Sequence, residues 1–171
     1  MTRGRALDIV ALAVIVVVAY KLLIAPRLLH GADALPAPHV TYQTLAGPPF
    51  VLTHQRGRVV FLDFFASWCE PCKASLPLVE SYARKHPNVE VVPVDVGEPR
   101  GVAAAYTRTN HLRSVAIDPG ALSSGFFAID GFPTIVVIDP QGRIRASWTG
   151  FNPAVELNMA HAAQTLAGAS S

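Results

Sequence analysis

Cys69 and Cys72 are the only cysteines of this chain, and they stand in one short motif, Cys69-Glu70-Pro71-Cys72. Thiols three positions apart at the start of a helix share one face of its first turn. The first would meet unpaired backbone N–H groups and the positive end of the helix dipole, which stabilise a thiolate. The second, one turn in, would be more buried and placed to resolve a mixed disulfide. An exposed attacker with a waiting partner is what dithiol–disulfide exchange requires. Other uses of the spacing fit less well. A purely structural disulfide between i and i+3 closes too small a loop to restrict the unfolded chain much. Attachment of c-type haem needs His directly after the second Cys, where Lys73 stands. Two thiolates also suit copper(I), a soft ion, so copper handling stays open beside thiol exchange. Two cysteines are too few for a disulfide-stapled scaffold or a four-ligand zinc site. No cofactor is expected beyond the redox-active disulfide itself.

The elements around the pair can be read from apolar spacing. Val59–Phe65 is apolar on both faces apart from Asp63, which marks a central strand covered on both sides. An Asp in such a run is costly unless hydrogen-bonded or neutral. If buried, its pKa rises, which suits it to take and return a proton at Cys72; an edge-facing Asp is the bland alternative. Residues 69–86 carry Leu76, Val79, Tyr82 and Ala83 at helical spacing before Pro87. Val89–Val96 reads as a second buried strand whose Pro93 suggests an edge or a bulge. A hairpin is expected from Thr41–Leu45 and Phe50–Thr53 around Gly47-Pro48-Pro49, and another from Thr134–Asp139 and Ile144–Thr149. Val102–Thr109 and Ala121–Ala128 read as helices and Ser114–Ile117 as a short strand. A last helix opens at Asn152-Pro153. Strands alternating with helices, then a hairpin and a closing helix, make an α/β or α+β sheet domain.

With these elements in order, the run Phe61 to Lys73 resembles the strand–loop–helix of thioredoxins. Its Ala66-Ser67-Trp68-Cys69 lead-in is most similar to the membrane-tethered TlpA/ResA-type reductases. Asp63, six before Cys69, matches the buried acid of that pattern. Pro77 matches the proline that kinks the active-site helix, Phe132-Pro133-Thr134 the cis-proline loop, and Gly150 the glycine after the terminal hairpin. The stretch from Gly101 to Pro119 resembles the subfamily's helix–strand insert. The resemblance runs over roughly residues 40–168. It implies a thioredoxin-like fold with a central mixed sheet, catalytic Cys69 and Cys72, and supporting Asp63, Trp68, Glu70, Pro71 and Pro133. It also implies reduction of protein disulfides outside the cytoplasm, with apocytochrome c thiols as one substrate class and a membrane electron donor of the DsbD/CcdA type. Departures from the pattern are Ser75, where some ResA-type proteins carry Glu, the lack of a basic residue in Val89–Val96, and Phe132, bulkier than usual before the cis-proline.

The direction of electron flow turns on charge near Cys69. Stabilising its thiolate makes the couple more oxidising. Glu70 opposes that by about 0.6–1 kcal/mol at roughly 7 Å in near-aqueous surroundings, and Lys73 offsets part of it. The sign favours a reductant; a disulfide oxidase or isomerase is the alternative.

At the N-terminus Arg3 and Arg5 precede an apolar run from Ile9 to Ala25, interrupted by Tyr20 and Lys21. Seventeen helical residues reach roughly 25 Å, just short of a bilayer core. Residues 1–30 are therefore expected as a transmembrane signal-anchor, with a cleaved signal peptide as the first alternative and a buried globular helix as the last. Residues 31–39 are expected as a linker and 40–171 as the domain. Either leader places the domain where disulfides persist. A net charge of +2 with no Lys/Arg run argues against nucleic-acid binding.

Overall fold

The computed structural model describes residues 9–16 and 34–168. Eight strands form one mixed sheet, in the order β1-β8-β7-β4-β5-β6-β2-β3. The strands are β1 (Leu35–Pro36), β2 (Thr41–Thr44), β3 (Phe50–Val51), β4 (Val60–Phe65), β5 (Glu90–Val96), β6 (Ala116–Asp118), β7 (Thr134–Ile138) and β8 (Arg143–Thr149). The helices are α1 (Glu70–Lys85), α2 (Arg100–Thr109), α3 (Leu122–Phe126) and α4 (Val155–Gly168). A parallel pair needs a crossover between its strands, and α1 supplies it between β4 and β5, as α2 does between β5 and β6.

β4 lies at the centre, parallel to β5 and antiparallel to β7, and all six of its residues are buried. Its alternation decides what lies beneath the active-site helix. Val60, Leu62 and Phe64 enter one apolar cluster. Phe61 joins Val79 and Tyr82 of α1, with Val155, Met159 and Leu166 of α4, on the opposite face. Phe65 joins Cys69, Cys72 and Leu76. A strand turns successive side chains to opposite faces, so Asp63 faces α1 between Phe61 and Phe65. The edge-facing alternative for Asp63 is thereby excluded.

Two expectations need correction. Pro93 does not mark an edge, since β5 is an inner strand. β6 pairs only with Val94–Val96, so on that side Pro93 forfeits no ladder bond. Nor is the expected linker over 31–39 unstructured where it is described. Leu35 and Pro36 pair with Ile144 and Arg143, Ala34 and Ala37 are buried, and the Ala37 N–H donates to the Gly142 carbonyl at 3.0 Å. The ordered domain therefore includes Ala34 onward. Of the expected anchor only residues 9–16 are described; they are helical and exposed. The remainder of that span lies outside the described residues, among which no helix is long and apolar enough to cross a membrane.

Candidate active site at the Cys69–Cys72 disulfide

Cys69 and Cys72 are joined by a disulfide, with 5.3 Å between their Cα atoms. Cys69 is the N-cap of α1, in extended backbone, and its Sγ accepts a hydrogen bond from the Cys72 N–H at 3.2 Å. Glu70 and Pro71 open the helix, where a missing proline N–H is harmless. The expected ranking of the two sulfurs holds, but the attacker is not openly exposed. Cys69 retains 4% of its surface and Cys72 none, because the loop from Ala66 folds back and the Cys69 N–H bonds the Ala66 carbonyl.

Access to Cys69 comes through a groove of about 420 Å³ lined by Trp68, Cys69, Glu70, Ile129, Gly131 and Phe132. Trp68 is 69% exposed and leans edge-on against Phe132, with ring centroids 5.9 Å apart. It forms an exposed apolar wall of this groove and is not a half-buried core residue. The Phe132–Pro133 peptide bond is cis. Its surroundings are pinned: Thr134 Oγ1 donates to the Gly131 carbonyl at 2.8 Å, and the Gly150 N–H donates to the Pro133 carbonyl at 2.8 Å. Gly150 makes that contact at φ +91, a conformation costly for any residue with a Cβ.

Asp63 is fully buried, and neither carboxylate oxygen has a hydrogen-bond partner. Burial first, and the nearby Glu80 carboxylate second, push its carboxyl up to about 8. That brings its titration close to neutral pH, on the face of β4 beneath the helix that carries Cys72. Glu80 is itself buried, accepts from the Arg113 N–H at 3.1 Å, and lies 3.8 Å from both Arg84 and Arg113. Glu70, by contrast, projects into solvent and pairs with Lys73 at 2.6 Å.

Residues 66–72, Asp63 and the 131–134 loop are thus brought together as the sequence suggested. A second acidic group was not anticipated. Asp95 on β5 is buried, and burial first, then the charge of neighbouring Glu98 and a side-chain hydrogen bond with it, push its carboxyl up to about 7. Glu98 accepts two hydrogen bonds from Ser67, in the loop just before Trp68. An acid inside the apolar run Val91–Val96 was a visible signal, the same one that singled out Asp63. Nothing local to Glu98 points to Ser67, 31 residues away.

A Thioredoxin-like family model matches residues 57–144. The chain is 31% identical over 111 residues to the thiol-disulfide oxidoreductase ResA of Bacillus cereus, covering 63% of this chain and 64% of that one. It is 32% identical over 119 residues to ResA of Geobacillus thermodenitrificans, covering 67% of each. It thus spans about two thirds of the length of these curated relatives. Among solved structures, a thiol:disulfide interchange protein DsbE from Chlorobium tepidum superposes with a TM-score of 0.73 at 28% identity, over 79% of this chain and 97% of that one. Matching family model, relatives and fold agree with the geometry, and the chain belongs to the thioredoxin-like family, in its TlpA/ResA-like branch.

Proposed function

We propose that this protein is an extracytoplasmic thiol–disulfide oxidoreductase that acts as a dithiol reductant of protein disulfides. The observation that carries the reading is the Cys69–Cys72 disulfide at the head of α1, opening onto an apolar groove, with an unpartnered buried carboxyl beneath the same helix. The Cys69 thiolate attacks one sulfur of the substrate disulfide. That S–S bond breaks, the departing sulfur takes up a proton, and a mixed disulfide forms on Cys69. Cys72 then gives its proton to Asp63 in the fraction of molecules whose carboxyl is ionised, a fraction that grows as the pH nears 8, and attacks Cys69 Sγ. The bond between Cys69 and the second substrate sulfur breaks, that sulfur leaves as a thiolate and takes up a proton from solvent as Asp63 releases its own, and the Cys69–Cys72 disulfide re-forms. Two electrons and two protons pass to the substrate. Trp68 and the loop before Pro133 flank the substrate segment, for which backbone pairing beside the cis-proline is the expected mode.

The substrate class proposed is apocytochrome c cysteines before haem attachment. The proposed electron source is a membrane carrier of the DsbD/CcdA type, with the chain held to the outer face of a membrane by its N-terminal apolar run. Equilibrating the Cys69/Cys72 couple against glutathione buffers tests the direction. A strongly reducing potential is expected, and one near −120 mV, the oxidant end of the known range, would refute it.

A further inference from the structure

We propose that Glu98 sets how tightly Cys69 holds its proton, and thereby helps to keep the Cys69/Cys72 couple reducing; this rests on the thiol-exchange reading above. Glu98 follows β5 and is 8% exposed. Its Oε2 accepts the Ser67 backbone N–H at 2.5 Å and its Oε1 accepts the Ser67 Oγ–H at 2.7 Å. Two oxygens that both accept are what an ionised carboxylate offers. Ser67 lies in the loop between β4 and α1, two residues before Cys69. Ser67 leads into the N-cap of α1, and Glu98 occupies both its N–H and its hydroxyl. The loop thereby gains a buried negative charge.

The surrounding charges do not cancel it. Among the described residues no Lys, Arg or His forms an ion pair with Glu98. Asp95, beneath, keeps its proton up to about pH 7 because of its burial and of Glu98 itself. On α1 the Glu70–Lys73 pair is exposed and internally neutralised. Tyr106 of α2, on this side, is held neutral by burial, Asp130 lies across the groove, and Asp63 is the buried acid of β4. Two residues of chain span at most about 7 Å, which puts the Glu98 charge on the order of 10 Å from the Cys69 sulfur. At an effective dielectric of about 20–40, a charge at that distance changes the thiol's acid dissociation constant by a factor of about 4 to 15. The effect exceeds that of Glu70 because Glu98 is not in water.

The test is the pH dependence of iodoacetamide alkylation of Cys69 in the reduced protein, paired with the equilibrium constant against glutathione. Glu98→Gln preserves the fork, since its carbonyl can accept the Ser67 N–H and its amide can donate to Ser67 Oγ. The thiolate fraction at a fixed pH below the thiol pKa should rise about 4- to 15-fold. Measured above the parent thiol pKa, the couple should become more oxidising, by about 30 mV for a tenfold rise in the acid dissociation constant. Below that pKa the potential should move much less. Glu98→Asp and Ser67→Ala, which retain the charge, should stay within about twofold of the parent. The double variant Asp95→Asn, Glu98→Gln removes the carboxyl that could take over the charge and should move at least as far as Glu98→Gln. If Glu98→Gln does not fold, Glu98→Ala must shift in the same direction. An unchanged alkylation profile in these neutral variants, or an equal shift in Glu98→Asp, overturns the proposal. Only the shift is read, so an oxidant-like parent potential would refute the reductant reading while leaving the role of Glu98 separately decided.

Discussion

Replacing Asp63 by Asn should stabilise the oxidised protein at neutral pH, and by an amount that depends on pH in a defined way. The carboxyl titrates near its ordinary value of 3.8 when unfolded but is held up to about 8 when folded. Between these values the folded state keeps a proton that the unfolded state has lost. Stability supplied by the protonated carboxyl is therefore fully present below about pH 4 and declines by about 1.4 kcal/mol per pH unit until about pH 8. Three units above the unfolded value, at pH 7, the accumulated loss is about 4 kcal/mol. The amide introduced by Asp63→Asn does not titrate and, like the protonated acid, leaves a buried polar group without partners. The variant and the parent should therefore be of similar stability at pH 4, and the variant more stable by about 4 kcal/mol at pH 7. Urea melts of the oxidised protein at pH 5, 6, 7 and 8 measure this, because the disulfide keeps both cysteines from titrating. Asp95 titrates in both proteins and cancels in the difference. A stability gap that stays constant from pH 5 to pH 8 would refute the buried, unpaired state of Asp63. The same substitution should slow resolution of the mixed disulfide by about 10²- to 10⁴-fold, the usual contribution of a positioned base.

Cys72→Ser should leave a long-lived mixed disulfide between Cys69 and its substrate, recoverable on a non-reducing gel; rapid release of the trapped species would place the attack elsewhere. Glu70→Gln should raise the Cys69 thiolate fraction only about two- to threefold, because Glu70 is solvated and paired with Lys73, and alkylation kinetics would expose a larger effect. Trp68→Ala should reduce kcat/KM for a disulfide-containing peptide about 5- to 10-fold. Its urea midpoint should stay near the parent's, since most of the ring is already in water; a large loss of stability would mean that Trp68 is structural.

Much of the site was legible because its signals are short-range. The i, i+3 cysteines, the proline in the first turn and the apolar period of residues 69–86 all lie within one helix and its entry loop. Asp63 stood out because an acid breaks a continuous apolar run. Phe132-Pro133-Thr134 was identifiable by resemblance. The misreadings share a different cause. Pro93 looked like an edge signal, yet whether a proline forfeits a ladder bond depends on where the neighbouring strand begins. Leu35 and Pro36 carry no strand periodicity, because two residues with exposed side chains gain their order from backbone pairing to Ile144 and Arg143.

What the sequence determined by itself is the reacting pair, the helix that presents it and the acid beneath, since each is encoded by residue type at fixed local spacing. Tertiary structure alone decided how far Cys69 is withdrawn from solvent, that Trp68 stands exposed at the groove against Phe132, and that Glu98 grips Ser67. Those outcomes depend on strand register and crossover connections, which bring the end of β5 against the loop after β4. Interactions across 31 residues leave no periodic trace in the chain. They arise only when parallel pairing of Phe65 with Asp95 fixes the two loop ends side by side.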